Sequence, residues 1–132
     1  IRISLAEELR QLETSQRLRD RSRAALATAE RSTGRRLFED AARGGARAAG
    51  RGSGRIEAGA WADLLELDAA HCDLEGLAGD AILDAFAFAG GSDMVRTVWS
   101  AGRLLVEDGR HIRRGEIAAA YRAAATPLRT AL

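Results

Sequence analysis

The sequence predicts an α/β chain: helices first, then a strand, a short helix, a hairpin with a third short strand, and a closing helix. Three observations carry this. Leu5, Leu9 and Leu12 recur at helical spacing behind Ser4. Residues 62–68, Ala-Asp-Leu-Leu-Glu-Leu-Asp, form a short apolar run bounded by glycine on one side and an acid on the other. Two β-prone runs, 95–99 and 103–107, flank Ser100-Ala101-Gly102 and are followed by the tight-turn pair Asp108-Gly109.

Taken in order, Ser4-Leu5-Ala6-Glu7 is a capping box, in which the Ser4 hydroxyl accepts the Glu7 amide. It opens an amphipathic helix over 4–20 with Leu5, Leu9 and Leu12 on its apolar side. Residues 21–32, rich in Ala and Arg, remain compatible with helix. Thr33 is the expected cap of a second helix reaching about Ala49, with Leu37, Phe38, Ala41 and Ala42 buried. Gly44 and Gly45 weaken its middle by about 1 kcal/mol each relative to Ala. Gly50-Arg51-Gly52-Ser53-Gly54 closes the helical part as a flexible turn. Gly54 and Gly59 punctuate the approach to the strand, where glycine serves a positive φ or a close backbone approach. Only Leu65 and Leu67 of that strand alternate cleanly, which predicts burial on much of both faces rather than an exposed edge. Residues 69–79 read as irregular. Residues 80–89 place Ile82, Leu83 and Phe86 at helical spacing before Gly90-Gly91. Residues 110–112 return as a third short strand. The last helix runs from Glu116, with Ile117, Tyr121, Ala124 and Leu128 on one side, and Pro127 is expected to kink it or split off its end.

A chain of 132 residues supports one domain with a modest core. No apolar run approaches the roughly 20 residues of a membrane span, and no leader peptide is expected. The single cysteine, Cys72, excludes an internal disulfide and fits a reducing, cytoplasmic setting. A net charge of +1 argues for neither nucleic acid nor membrane as partner. All 20 basic residues are Arg, which points to a GC-rich bacterial coding sequence rather than to a function. The charge is blocked: 13 Arg against 7 acids in 1–55, 9 acids and no Arg in 56–93, and 7 Arg against 3 acids in 94–132. Such blocks pair across a fold or an oligomer interface, or remain solvated.

No chemical constellation is complete. His71-Cys72-Asp73 offers three donors in a row, but neighbours on an extended segment diverge, so a loop with a structural His and a buried small Cys is expected. His111 has no carboxylate to orient it and is expected to hydrogen-bond within the hairpin. The Gly/Arg-rich run from Arg43 to Arg55 lacks the Gly-Lys-Ser/Thr ending of a phosphate loop and the aromatics that stack bases, so it reads as a helix end and a solvated loop. Trp61 and Trp99 are expected in a core or interface. No catalytic, cofactor-binding or metal-ligating residue is assigned within these residues.

Two stretches are more specific than their physics. Gly54-Arg-Ile-Glu-Ala-Gly-Ala-Trp-Ala-Asp-Leu-Leu-Glu-Leu-Asp68 and Val95-Arg-Thr-Val-Trp-Ser-Ala-Gly-Arg-Leu-Leu-Val-Glu-Asp-Gly-Arg110 resemble, in the right order, C-terminal signatures of the amidohydrolase superfamily. Ile3–Glu13, Gln16–Arg21, Gly79–Phe86 and Asp108–His111 narrow the resemblance to formimidoylglutamate deiminases, the N-formimino-L-glutamate iminohydrolases of bacterial histidine degradation. The resemblance runs nearly the whole chain and covers about the last third of the family's length.

It implies the C-terminal part of a (β/α)8 barrel with its small β-domain. Residues 1–53 are the helices following the last barrel strand. Residues 54–112 are the β-domain's C-terminal strands with a short helical insertion near 80–89, and 113–132 are the terminal helix. The implied reaction hydrolyses the formimino C=N group of N-formimidoyl-L-glutamate to N-formyl-L-glutamate and ammonia. It uses a single zinc held by histidines and one aspartate, with a Glu and a His assisting proton transfer. Those ligands are expected upstream of Ile1. Ile1–Ser4 would leave the barrel mouth closest to the site, and Asp63 and Asp68 would turn or cap a strand. The chain alone is expected to lack metal and activity. Its partners would be the N-terminal part of the same enzyme, a small-molecule substrate and a second copy in a homodimer. The alternatives are another superfamily deaminase acting on a purine or related heterocycle, and a non-catalytic α+β interaction module.

Overall fold

The computed structural model describes residues 3–130; the expectations for Ile1 and Arg2, and for the end of the last helix at 131–132, lie outside that range. The elements are α1 (Leu5–Asp20), α2 (Thr33–Ala48), β1 (Leu64–Leu67), α3 (Asp80–Phe88), β2 (Val95–Ser100), β3 (Arg103–Glu107), β4 (Arg110–His111) and α4 (Arg114–Thr130). The strands form one antiparallel sheet in the order β1-β2-β3-β4, with bulges between Glu66 and Leu67 and between Val98 and Trp99.

Half of the expected capping box forms: Ser4 Oγ accepts the Glu7 amide at 3.4 Å, and no return bond from the Ser4 amide to the Glu7 carboxylate is found among the described residues. The buried stripe of α1, however, is Ala6, Leu9 and Glu13 rather than Leu5, Leu9 and Leu12. Both stripes have helical spacing, and Leu5 and Leu12 are left half exposed. The difference lies in Glu13, which is fully buried. Its Oε1 accepts Arg17 Nε at 2.7 Å and the Ala25 amide at 2.9 Å, and its Oε2 accepts the Leu26 amide at 3.2 Å. That carboxylate also explains why 21–32 is a loop and not helix. Arg21 ends α1 in the left-handed region (φ 51°), and the loop amides bond to Glu13 instead of to a helical carbonyl.

The N-cap of α2 is Ser32, not Thr33: Ser32 Oγ accepts the Arg35 amide at 3.2 Å, and Thr33 is buried inside the first turn. Two further amides at this helix start go to acids of α3. Asp80 Oδ2 accepts from Ser32 at 3.1 Å and Asp84 Oδ1 accepts from Gly34 at 2.6 Å, which places negative charge at the positive end of α2. Contact this close requires Gly34, because a Cβ there would lie 2.5 Å from the Asp84 nitrogen and the Leu83 oxygen. Farther along, Leu37 is buried and Phe38 and Ala42 partly so, whereas Ala41 is exposed.

The core joins Ala6, Leu74, Phe86 and Met94, with Phe38, Leu67, Ile82, Ala85 and Val95 around them. Phe38 meets Phe86 edge to face, with ring centroids 6.0 Å apart. Arg10 of α1 closes the end of α3, donating to the carbonyls of Ala87 at 3.1 Å and Gly90 at 2.9 Å.

The sheet's two hairpin turns carry the paired positive φ that such turns need: Ala101 (50°) with Gly102 (76°), and Asp108 (47°) with Gly109 (69°). Strand β1 corrects its expectation. It is the sheet's edge, with Leu65 and Glu66 exposed and Leu64 and Leu67 only half buried, because among the described residues it pairs with β2 alone. Helix α4 starts at Arg114, two residues earlier than expected, and buries none of its described residues. It continues through Pro127 to Thr130 rather than splitting there. In an exposed helix, losing one amide donor leaves a carbonyl that water can satisfy.

Candidate functional site

Asp63, which leads into β1, gathers the most partners. Arg51 grips it with two parallel bonds, Nε to Oδ2 at 2.8 Å and Nη2 to Oδ1 at 2.7 Å. The Ala101 amide and the Ser100 hydroxyl, from the β2–β3 turn, donate to Oδ1 at 2.8 and 3.3 Å. The Arg51 fork, then the Ala101 amide, holds this carboxyl well below the usual carboxylate range. A carboxylate so occupied is an acceptor of structural bonds, not a proton acceptor for a substrate. Asp68 Oδ1 takes the Ala70 amide at 3.1 Å, and the Asp68 amide donates to the Met94 carbonyl at 2.8 Å.

Arg51 corrects the expectation of a flexible, solvated turn at 50–54. Besides gripping Asp63, its guanidinium lies 4.6 Å from the ring centre of Trp61, whose amide donates to the Gly52 carbonyl at 2.8 Å. Trp61 itself is half exposed rather than in the core. Gly54 has φ 83°, and a Cβ on it would lie 2.6 Å from the Ala42 carbonyl oxygen. Two further arginines of the run pair locally, Arg43 with Glu39 at 3.2 Å and Arg55 with Glu57 at 2.5 Å. The blocked charges do pair across the fold, in Arg51–Asp63 and in Arg35–Asp80 at 3.1 Å.

His71, Cys72 and Asp73 do not diverge as expected. The turn that follows Asp68 folds them together, with donor atoms within 4.8 Å of one another, and Cys72 is exposed rather than buried. The turn itself is closed by bonds from the Leu74 and Glu75 amides to the His71 carbonyl at 2.8 and 2.9 Å, and is anchored by buried Leu74. Within it His71 Nδ1 accepts the Asp73 amide at 3.3 Å, and its Nε2 lies 3.4 Å from an Asp93 carboxylate oxygen. His111 does the same as His71: its Nδ1 accepts the Arg113 amide at 3.1 Å.

The feature no residue pattern announced is a groove of about 410 Å³ between α2 and the β1–β2 pair. Phe38, Ala42, Ile56, Leu65, Val98 and Trp99 line it, together with Asp63.

No protein-family model matches the chain. Over 112 residues, 84% of its length, the chain is 46% identical to the formimidoylglutamate deiminase of Pseudomonas aeruginosa, of which it spans 25%. Its fold matches an amidohydrolase from Brucella melitensis with a TM-score of 0.80 and 42% identity, over 93% of this chain and 27% of that one. A zinc-bound adenosine deaminase from Xanthomonas campestris matches over the same shares, with a TM-score of 0.69 and 28% identity. The chain thus spans about a quarter of the length of these relatives. It belongs with the amidohydrolases, and it corresponds to the C-terminal portion of a chain like formimidoylglutamate deiminase.

Proposed function

We propose that these residues are the C-terminal portion of a metal-dependent hydrolase that converts N-formimidoyl-L-glutamate to N-formyl-L-glutamate and ammonia. The observation that carries this is the 46% identity over 112 residues to a protein named for that substrate. In this reading 1–53 are helices following the last barrel strand, 54–112 belong to the small β-domain, and 113–132 form the terminal helix. The whole enzyme is a cytoplasmic homodimer with zinc held upstream of Ile1. Among the described residues the one group with three donors close enough for an ion is His71, Cys72 and Asp73. Both ring nitrogens of His71 have partners in the fold, Nδ1 the Asp73 amide at 3.3 Å and Nε2 an Asp93 carboxylate oxygen at 3.4 Å, and we assign the group no metal. No step of the hydrolysis is assigned to a residue of this chain; its part is to complete the fold around the residues that perform it.

The likeness to an adenosine deaminase supports a second reading, a purine-type deaminase, at lower identity and lower fold similarity. The test is a chimera in which this chain replaces the corresponding C-terminal quarter of the Pseudomonas aeruginosa deiminase. Ammonia release from N-formimidoyl-L-glutamate and not from adenosine is expected, with none from the 132-residue chain alone. Ammonia from the isolated chain, or a folded chimera inactive on the formimino substrate, overturns the reading.

A further inference from the structure

The arginines of the 43–55 run converge on one cavity. Arg43 and Arg47 stand one turn apart on α2. Gly50, with φ 63°, then reverses the chain. Its amide donates to the Arg47 carbonyl at 3.1 Å, and the Arg51 amide donates to the Ala46 carbonyl at 2.9 Å. The returning segment is pressed against α2 at Gly54. Arg43, Arg47, Arg51 and Arg55 thereby line, with Ala46 and Ser53, a cavity of about 320 Å³ that has no acidic residue in its lining among the described residues.

Positive charge here exceeds its local partners. Arg43 pairs with Glu39, Arg51 with Asp63 and Arg55 with Glu57. Glu39, however, is divided among three arginines, since it also meets Arg31 at 3.1 Å and Arg35 at 2.9 Å. Arg47 is exposed and is left with no carboxylate among the described residues. A guanidinium carries five N–H donors in a planar fork, so a single carboxylate does not exhaust it. The carbonyls at the end of α2, which would repel an anion, are already bonded to amides: those of Ala46 and Arg47 as above, and that of Gly45 to Ala49 at 2.9 Å.

We infer that this cavity binds a small multivalent oxyanion, a phosphate ester or pyrophosphate. Arg47 is the chief contact, and Arg43 and Arg55 supply further donors. Arg51, held by Asp63 and stacked on Trp61, fixes the wall of the cavity before the anion arrives. Guanidinium forks meet phosphate oxygens through paired, charge-assisted hydrogen bonds, so the charge a phosphate loop would draw from backbone amides comes here from side chains. The enclosed site favours a small ligand over a nucleic-acid backbone, which is tracked by an extended groove with stacking aromatics. The inference is independent of which substrate the enzyme takes.

The test is isothermal titration of pyrophosphate into the full 132-residue chain. One saturable site is expected, with Kd on the order of 0.1–1 mM at low salt, and inorganic phosphate is expected to bind about threefold or more weaker. Arg47→Gln is expected to weaken pyrophosphate binding about tenfold, and Arg47→Lys, which keeps the charge but not the fork, about threefold. Arg122→Gln removes the same charge from an exposed position on α4 and is expected to leave the affinity unchanged. Arg47 is exposed and unpaired, so melting of its variants without anion is expected to match the parent, which separates lost binding from lost folding. The same titration of the folded chimera is expected to give the same affinity. Absence of saturable binding overturns the inference, as does equal weakening by Arg47→Gln and Arg122→Gln. A short single-stranded RNA that binds more tightly than pyrophosphate and depends on Arg122 as much as on Arg47 overturns it too. Binding by the chain but not by the folded chimera would mean that the rest of an enzyme fills the cavity, and would overturn it as well.

Discussion

Arg51 and Asp63 are joined by two parallel hydrogen bonds of 2.8 and 2.7 Å, and through them the end of the α2 segment is tied to the strand entry and to the β2–β3 turn. Arg51 sits in a run of glycines and arginines that reads as a solvated loop. Its planar fork, matched to a carboxylate 12 residues on, turns that loop into a fixed corner.

The first prediction concerns acid. The carboxyls of Asp63, Asp80 and Glu39 are all held below their ordinary values: Asp63 chiefly by Arg51, Asp80 chiefly by the Ser32 amide, and Glu39 chiefly by Arg35. Each group is depressed in the fold, so its contribution to stability is present above the unfolded value, about pH 4, and is lost as pH falls toward the folded value. Melting temperature is expected to hold from pH 7 to about 5 and to fall below about 4. Asp63→Asn is expected to be less stable at pH 7 and to lose less on acidification. An acid limb as steep in Asp63→Asn as in the parent would remove Asp63 from this account.

Glu13 carries the second. Replacing it with Ala leaves the partly buried Ala25 and Leu26 amides without their acceptor and empties a buried site, a loss of about 2–3 kcal/mol. Glu13→Gln keeps one acceptor oxygen and is expected to cost about half of that. Urea unfolding gives the size, and the exchange rates of the Ala25 and Leu26 amides show whether the loss is local to the loop.

Two glycines of α2 are expected to respond with opposite signs. Gly34→Ala drives a Cβ into the backbone of α3 and is expected to cost about 2–3 kcal/mol. Gly44 has open space where a Cβ would go, and Gly44→Ala is expected to stabilise by about 0.5–1 kcal/mol. Thermal melts of the two variants decide this, and a shift in the same direction for both would contradict the packing described.

Cys72 is the last. A thiol on the surface of the 71–77 turn is expected to react stoichiometrically with an aromatic disulfide reagent under native conditions, at a rate denaturant barely changes. A thiol that reacts only after unfolding would restore the buried cysteine expected from sequence.

Much of the fold was legible because its signals are local. Ser4 and Glu7 are one helical turn apart, and Asp108 and Gly109 are neighbours, so caps and turns are written in adjacent residues. The candidate site was legible only as family wording. The 54–68 signature marked Asp63, while Arg51, which gives that acid its partner, lay in a stretch with no pattern of its own.

By itself the sequence determined the kinds and order of the elements, the turns of the sheet, and the kinship with amidohydrolases. Local backbone preferences and matched motifs need no partner from far along the chain. Tertiary structure alone decided which stripe of α1 is buried, that 21–32 wraps a carboxylate instead of continuing a helix, and that β1 is an open edge. It also decided that the start of α2 is completed by acids 48 and 50 residues away. Each of these depends on two remote groups meeting at bonding distance, a relation set by how the chain packs and not by what stands next to either group.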